Sequence, residues 1–149
     1  FYLDTPAASY NSSILLSKHD GDAGNDGWVY GIWNPNSDTA RRILNFQANN
    51  QFNTNTYPDI NGVVNSKRWY HFVVTYRKDI SDLRYFLNGS MVMQKTIPFD
   101  MINNNRKITI GYSASSLGTY LGYFLGKIDD IRIYSRSISL NEVTYLYKN

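Results

Sequence analysis

A chain of 149 residues with 42% hydrophobic and 18% charged side chains has enough apolar material to bury one core, which excludes disorder as its main state. The formal charge of +3 is scattered in short basic pairs such as Arg41-Arg42, Lys67-Arg68 and Arg106-Lys107; with no continuous basic stripe, nucleic acid is excluded as a favoured partner. The chain has no cysteine, which removes disulfides, thiolate metal sites and thiol catalysis together, and no apolar run reaches the length of a membrane span.

Tyrosine, threonine, valine and isoleucine fill the apolar segments, and asparagine, glycine and serine separate them at short intervals, which is the punctuation of an all-β domain. In chain order the pattern predicts strands over 14–18, 28–33, 42–47, 69–76, 83–87, 91–96, 107–112 and 123–134. The stretches 34–38, 49–65 and 100–105 are Asn- and Pro-rich, and their short polar side chains suit turns because they bond their own backbone. Residues 69–76 carry Tyr70, Phe72, Val74 and Tyr76 on one face and Trp69, His71, Val73 and Thr75 on the other. Neither face is strongly polar, which predicts a strand in the middle of a sheet and covered on both sides. Between 83–87 and 91–96 stands Asn88-Gly89, a pair that tolerates the positive φ angles of a two-residue hairpin turn. At the C-terminal end Ser139 can cap a helix with Glu142 as its capping-box partner, and Leu140, Val143, Leu146 and Tyr147 form one apolar stripe.

Several stretches resemble a laminin-G-like jelly roll of the concanavalin A-like lectin/glucanase superfamily. Trp69-Tyr70-His71-Phe72-Val73-Val74-Thr75-Tyr76 resembles the family's central strand, Tyr85-Phe86-Leu87-Asn88-Gly89 its hairpin, and Ile108-Thr109-Ile110-Gly111 the strand that follows. Residues 124–139, continuing through Leu140, Glu142, Val143, Leu146 and Tyr147, resemble the family's C-terminal signature, and Ile14-Leu15-Leu16-Ser17-Lys18 is similar to its second-strand motif. The resemblance implies a single domain over 1–149, built as an antiparallel two-sheet β-sandwich with a short C-terminal helix. It also implies a departure at the front. Family members begin with a further strand or two before the position of Phe1, so the chain is expected to lack its N-terminal strand and to be excised from a larger protein. The strand over 123–134 would then present an open edge to upstream sequence or to another chain.

Glycosidases of this superfamily need two carboxylates flanking one bond. Glu142 is the only glutamate and is committed to a capping box, whereas Asp129 and Asp130 are expected on opposite faces of a strand, with Arg132 on the side of Asp130. His19 falls in a loop and His71 in a strand, where the latter is expected to serve as a core hydrogen-bonder. No catalytic site is expected.

The loop 19–27 concentrates oxygen donors, so Asp20, Asp22, Asn25 and Asp26 are candidate calcium ligands; the competing reading, slightly favoured, is a solvated polar hairpin. Most aromatics are expected in the core. Trp28, Tyr30 and Trp33 line one strand, and Tyr112, Tyr120 and Tyr123 bracket a Ser/Gly loop. Tyr57, Tyr120 and Trp33 are the candidates for stacking on a sugar. The resemblance implies a carbohydrate-binding or adhesion module at an extracellular, cell or particle surface, with a glycan or glycoconjugate as partner. The alternative is a structural domain that contacts protein neighbours in a filament, capsid or surface layer.

Overall fold

The computed structural model describes residues 1–4, 12–19, 27–33, 43–48, 64–97, 105–112 and 123–149. Among the described residues nine strands and one α-helix follow in order: β1 (Tyr2–Leu3), β2 (Ser12–His19), β3 (Gly27–Trp33), β4 (Ile43–Ala48), β5 (Phe72–Arg77), β6 (Asp82–Leu87), β7 (Ser90–Thr96), β8 (Thr109–Ile110), β9 (Gly126–Lys127) and α1 (Leu140–Lys148). They form a four-stranded sheet ordered β4-β3-β2-β8, a three-stranded sheet ordered β5-β6-β7, and the pair β1-β9. Every pairing is antiparallel.

The two larger sheets face each other across the core. Leu15 of β2 and Ile32 of β3 pack with Tyr70 and Leu87, while Trp28 and Tyr30 of β3 lie against Leu83, Tyr85 and Ile97. Alternation along β6 explains this: Leu83, Tyr85 and Leu87 point inward, and Phe86 points to the outer face, where it meets Ile138 and Val143 beneath α1. Leu83, Tyr85, Phe86 and Val143 are all but fully buried, and each large side chain of this kind stabilises the fold by roughly 1.5–3 kcal/mol relative to an exposed one.

The hairpin between β6 and β7 turns at Asn88 (φ 50) and Gly89 (φ 78), as the Asn-Gly pair predicts. The Asn88 side chain accepts from His71 N–H and its backbone N–H donates to the His71 carbonyl, which ties the turn to the start of β5. Helix α1 sits over this hairpin, close enough that a Cβ on Gly89 would lie 2.9 Å from the Tyr147 ring. The capping box at its start is complete: Ser139 Oγ accepts from Glu142 N–H, and the Glu142 carboxylate accepts from Ser139 N–H.

One expectation needs correction. Residues 128–134 are not a strand, and among 123–134 only Gly126–Lys127 pair, in part because Asp130 takes a left-handed backbone (φ 52) that interrupts extended geometry. On one side of β9, Tyr2 and Leu3 pair with Lys127 and Gly126. Three apolar residues are too short a run to announce a strand by alternation. Their approach depends on Gly126, where a Cβ would come within 2.0 Å of the Tyr2 carbonyl oxygen.

Candidate functional site

β1 does more than meet β9. Its other side bridges Tyr2 to Trp69, and Phe1 and Tyr70 exchange both backbone bonds, the N-terminal ammonium of Phe1 donating to the Tyr70 carbonyl at 2.7 Å and Tyr70 N–H donating to the Phe1 carbonyl at 2.7 Å. β1 therefore joins the C-terminal segment to the lead-in of β5. Beyond this joint the space beside β5 opens. Among the described residues β5 pairs only with β6, where its two apolar faces predict a mid-sheet strand. Both faces are nonetheless packed, Phe72 and Val74 toward the core and Val73 toward α1.

The opening is a groove of about 720 Å³ between β5 and residues 128–138, walled by Phe1, Tyr30, Phe72, Trp69, Ile128 and Tyr134 among others. Aromatic rings build its base: Tyr30 stacks on Phe72 at 4.5 Å, Phe1 on Tyr70 at 5.5 Å, and Tyr2 lies 5.6 Å from Trp69. The Tyr30 hydroxyl donates to the Phe72 carbonyl at 3.0 Å, and burial pushes its pKa well above the usual phenol value. Burial lowers the Phe1 ammonium pKa, with Asp129 opposing the shift. His71 is lowered too, first by burial, then by the charge of the Phe1 ammonium; Asp130 opposes this and Arg132 adds to it. Among the described residues its buried Nδ1 has no hydrogen-bond partner.

None of these groups forms an acid pair. Arg136 and both bonds from Ser139 hold the Glu142 carboxyl down at about 2, so it is ionised at any ordinary pH and cannot donate a proton. Asp130 pairs with Arg132 at 3.0 Å, as expected, while its backbone N–H donates to Asp129 Oδ1. The two aspartates are adjacent on an irregular segment and not on a strand, so the opposite-faces argument does not apply to them. Asp82 is buried at the foot of β6, with Arg84 Nε 2.8 Å from Oδ2 and Gln94 donating to Oδ1. Among the described residues no cluster of His, Asp and Glu could hold a metal ion.

These features, two facing antiparallel sheets with a helix closing the C-terminal end, are matched in sequence by the profile of the Laminin_G_3 family, concanavalin A-like lectin/glucanases superfamily, over residues 1–144. The chain belongs to this family. No curated protein matches it in sequence. Among solved structures the laminin-G-like domain is similar to residues 221–444 of an S-layer domain-containing protein from Clostridium thermocellum, 21% identical, covering 99% of this chain and 67% of that one with a TM-score of 0.45.

Tyr57, Tyr120, Asp20, Asp22, Asn25 and Asp26 lie outside the described residues. Trp33 ends β3, opposite Ser12 on one side and Ile43 on the other. Tyr112 and Tyr123, which flank the stretch containing Tyr120, are both exposed, whereas Trp28 and Tyr30 are partly buried core-packing residues as expected. What the sequence did not single out is the groove wall formed by Trp69, Ile131, Ile133 and Tyr134. Exposed apolar residues in a predicted strand look identical to buried ones until their pairing is known.

Proposed function

We propose that this laminin-G-like domain is a non-catalytic carbohydrate-binding or adhesion module of a larger extracellular, cell-surface or particle-surface protein. The observation that supports it most is the exposure of Tyr112 (41%) and Tyr123 (60%) at the two ends of the stretch bearing Tyr120, which brings aromatic rings to the surface where sugar faces can stack. Laminin-G-like domains are typically non-catalytic, and the carboxylates described above are committed to arginines and to a helix cap. The partner is a glycan or cell-surface glycoconjugate, with Tyr57, Tyr120 and Trp33 as stacking residues. Calcium held by Asp20, Asp22, Asn25 and Asp26 belongs to the same reading.

A glycan array probed with the purified domain, once with calcium and once with a chelator, tests it. Binding that disappears in chelator would assign the 20–26 loop a metal, and calcium-independent binding lowered severalfold by Tyr120→Ala would assign the aromatic surface. Silence in both conditions would overturn the lectin reading. That β5 has no second neighbour among the described residues favours a second reading, a structural domain that contacts protein neighbours in a surface assembly.

A further inference from the structure

We propose that Asn88 is a site of spontaneous deamidation which helix α1 covers, so that lifting of the helix, and not unfolding of the sandwich, sets the rate at which the hairpin is modified. The reaction is intramolecular and needs only water. Gly89 N–H loses its proton to solvent base, the nitrogen attacks Asn88 Cγ, and the Cγ–Nδ2 bond breaks as the side-chain nitrogen takes up a proton and leaves as ammonia. Water then opens the resulting cyclic imide. Breakage of the new Cγ–N bond leaves aspartate, and breakage of the original peptide bond leaves isoaspartate. Glycine makes the attack easy because no Cβ stands between its nitrogen and the preceding side chain, and asparagine is among the thermolabile residues. The sequence holds the same pair a second time, at Asn61-Gly62.

In the folded protein the reacting atoms are held apart and kept from solvent. Asn88 Oδ1 accepts from His71 N–H at 3.0 Å while Asn88 N–H donates to the His71 carbonyl at 2.8 Å, so the side chain cannot swing Cγ over the Gly89 nitrogen without giving up the bond at Oδ1. The left-handed turn, φ 50 at Asn88 and 78 at Gly89, fixes the peptide between them. Gly89 is buried, and what buries it is α1: a Cβ at this position would lie 2.9 Å from Tyr147 Cδ1 and 3.3 Å from Tyr147 Cβ. From the same helix Thr144 Oγ1 donates to the Gly89 carbonyl at 3.4 Å. Solvent base therefore meets Gly89 N–H only when α1 moves off the turn.

The cover is lighter than the sandwich beneath it. In α1 only Val143 is buried, whereas five of the six residues of β6 are, so the helix opens at a smaller cost than the sheet. The two products then part. Aspartate keeps the chain path and an oxygen for His71 N–H. Isoaspartate runs the main chain through Cβ and Cγ, which lengthens a turn whose size is fixed by the flanking pairs Leu87 with Ser90 and Phe86 with Met91, and it removes the tie to His71. Each such conversion is a permanent mark of an opening of α1, left in the surface on which the helix sits.

Peptide mapping by mass spectrometry at mildly alkaline pH follows the amide-to-acid conversion of Asn88 in the 149-residue chain, in buffer and in urea. In urea Asn88 and Asn61 should convert at similar rates, which calibrates the chemistry of the unfolded pair. In buffer Asn88 should convert about tenfold or more slowly than in urea, yet be slowed by less than the hydrogen-exchange protection of the β6 amides. Tyr147→Ala should speed conversion in buffer severalfold, and Leu83→Ala, which costs more stability but leaves the cover on Gly89, should speed it less. Conversion as fast in buffer as in urea would overturn the proposal, because the cover would then protect nothing. Slowing equal to the protection of β6 would overturn it too, without recourse to any variant, since the sandwich itself would have to unfold. So would a Leu83→Ala rate above that of Tyr147→Ala.

Discussion

The two edges of the β5-β6-β7 sheet are built differently. The β7 edge carries Gln94, Lys95 and Thr96, and a register irregularity at Tyr85 and Phe86 disturbs its ladder with β6; both are devices by which natural sheets keep a free edge from pairing. The β5 edge has neither. Its side chains are apolar on both faces, its backbone faces a groove lined with aromatic rings, and the segment across that groove exposes Ile131 and Ile133. One edge is designed to meet water and the other is not, a difference that hydrogen-bond topology alone, which leaves both unpaired among the described residues, does not show.

The sharpest way to expose the contrast is to truncate a side chain on each side of it. Leu83→Ala, in the closed part of the sandwich, should cost about 2–5 kcal/mol in urea unfolding, since Leu83 is 1% exposed and the site cannot collapse around the missing atoms. Ile133→Ala on the open wall should stay within about 0.5 kcal/mol in the 149-residue chain. A comparable loss from both would mean that the wall is packed after all. Between these extremes stands Gly126→Ala, whose Cβ meets the Tyr2 carbonyl and not a yielding side chain; a cost of about 1–3 kcal/mol is expected, with loss of exchange protection at the β1–β9 pairing.

The same contrast explains which parts of the molecule were legible in the sequence. The Asn88-Gly89 turn, strands β2 to β7 and the Ser139–Glu142 capping box are encoded locally, by alternation or by fixed spacing, and the structure places them within a few residues of expectation. The antiparallel sandwich follows from them together with the family resemblance. That β5 has only β6 as a neighbour among the described residues was not legible, because a strand's side-chain pattern records how many faces are covered and not how many neighbours its backbone has. β1 was missed for a related reason: two paired residues carry no period. Residues 128–134 have the composition of a strand, yet composition does not supply the partner that would hold them extended. Of the candidate sugar and calcium residues only Trp33 lies among the described ones, at the end of β3; the others stand in stretches whose sequence carries no periodic pattern.

The closed side offers a second, smaller test at α1. Ser139→Ala removes the bond to Glu142 N–H and should cost about 1 kcal/mol. Glu142 itself adds a pH dependence whose sign is fixed by its lowered pKa. With the folded value at about 2 against 4.5, the carboxylate contributes stability at all pH values above 4.5, and this is lost as pH falls from 4.5 toward 2. Exposure to solvent weakens the effect. Glu142→Gln should lower the Tm near neutral pH and flatten the acid limb over that window; a parallel acid limb in the two proteins would detach the carboxylate from the fold's stability.

On the open side the expected effect is smallest and its sign is carried by the opposite charge. His71 has a folded pKa below 6.5, held there first by burial and then by the Phe1 ammonium and Arg132, against Asp130. As pH drops below 6.5 the unfolded chain takes up this proton before the folded one does, so stability declines with falling pH until the folded imidazole is also protonated. His71→Gln cannot titrate and should show a flatter Tm profile below pH 6.5, a difference to be read by thermal unfolding above the window in which Glu142 acts. If the profiles of wild type and variant coincide there, the imidazole at the mouth of the groove is hydrated as freely as in the unfolded chain, and the groove is wetter at His71 than its buried Nδ1 implies.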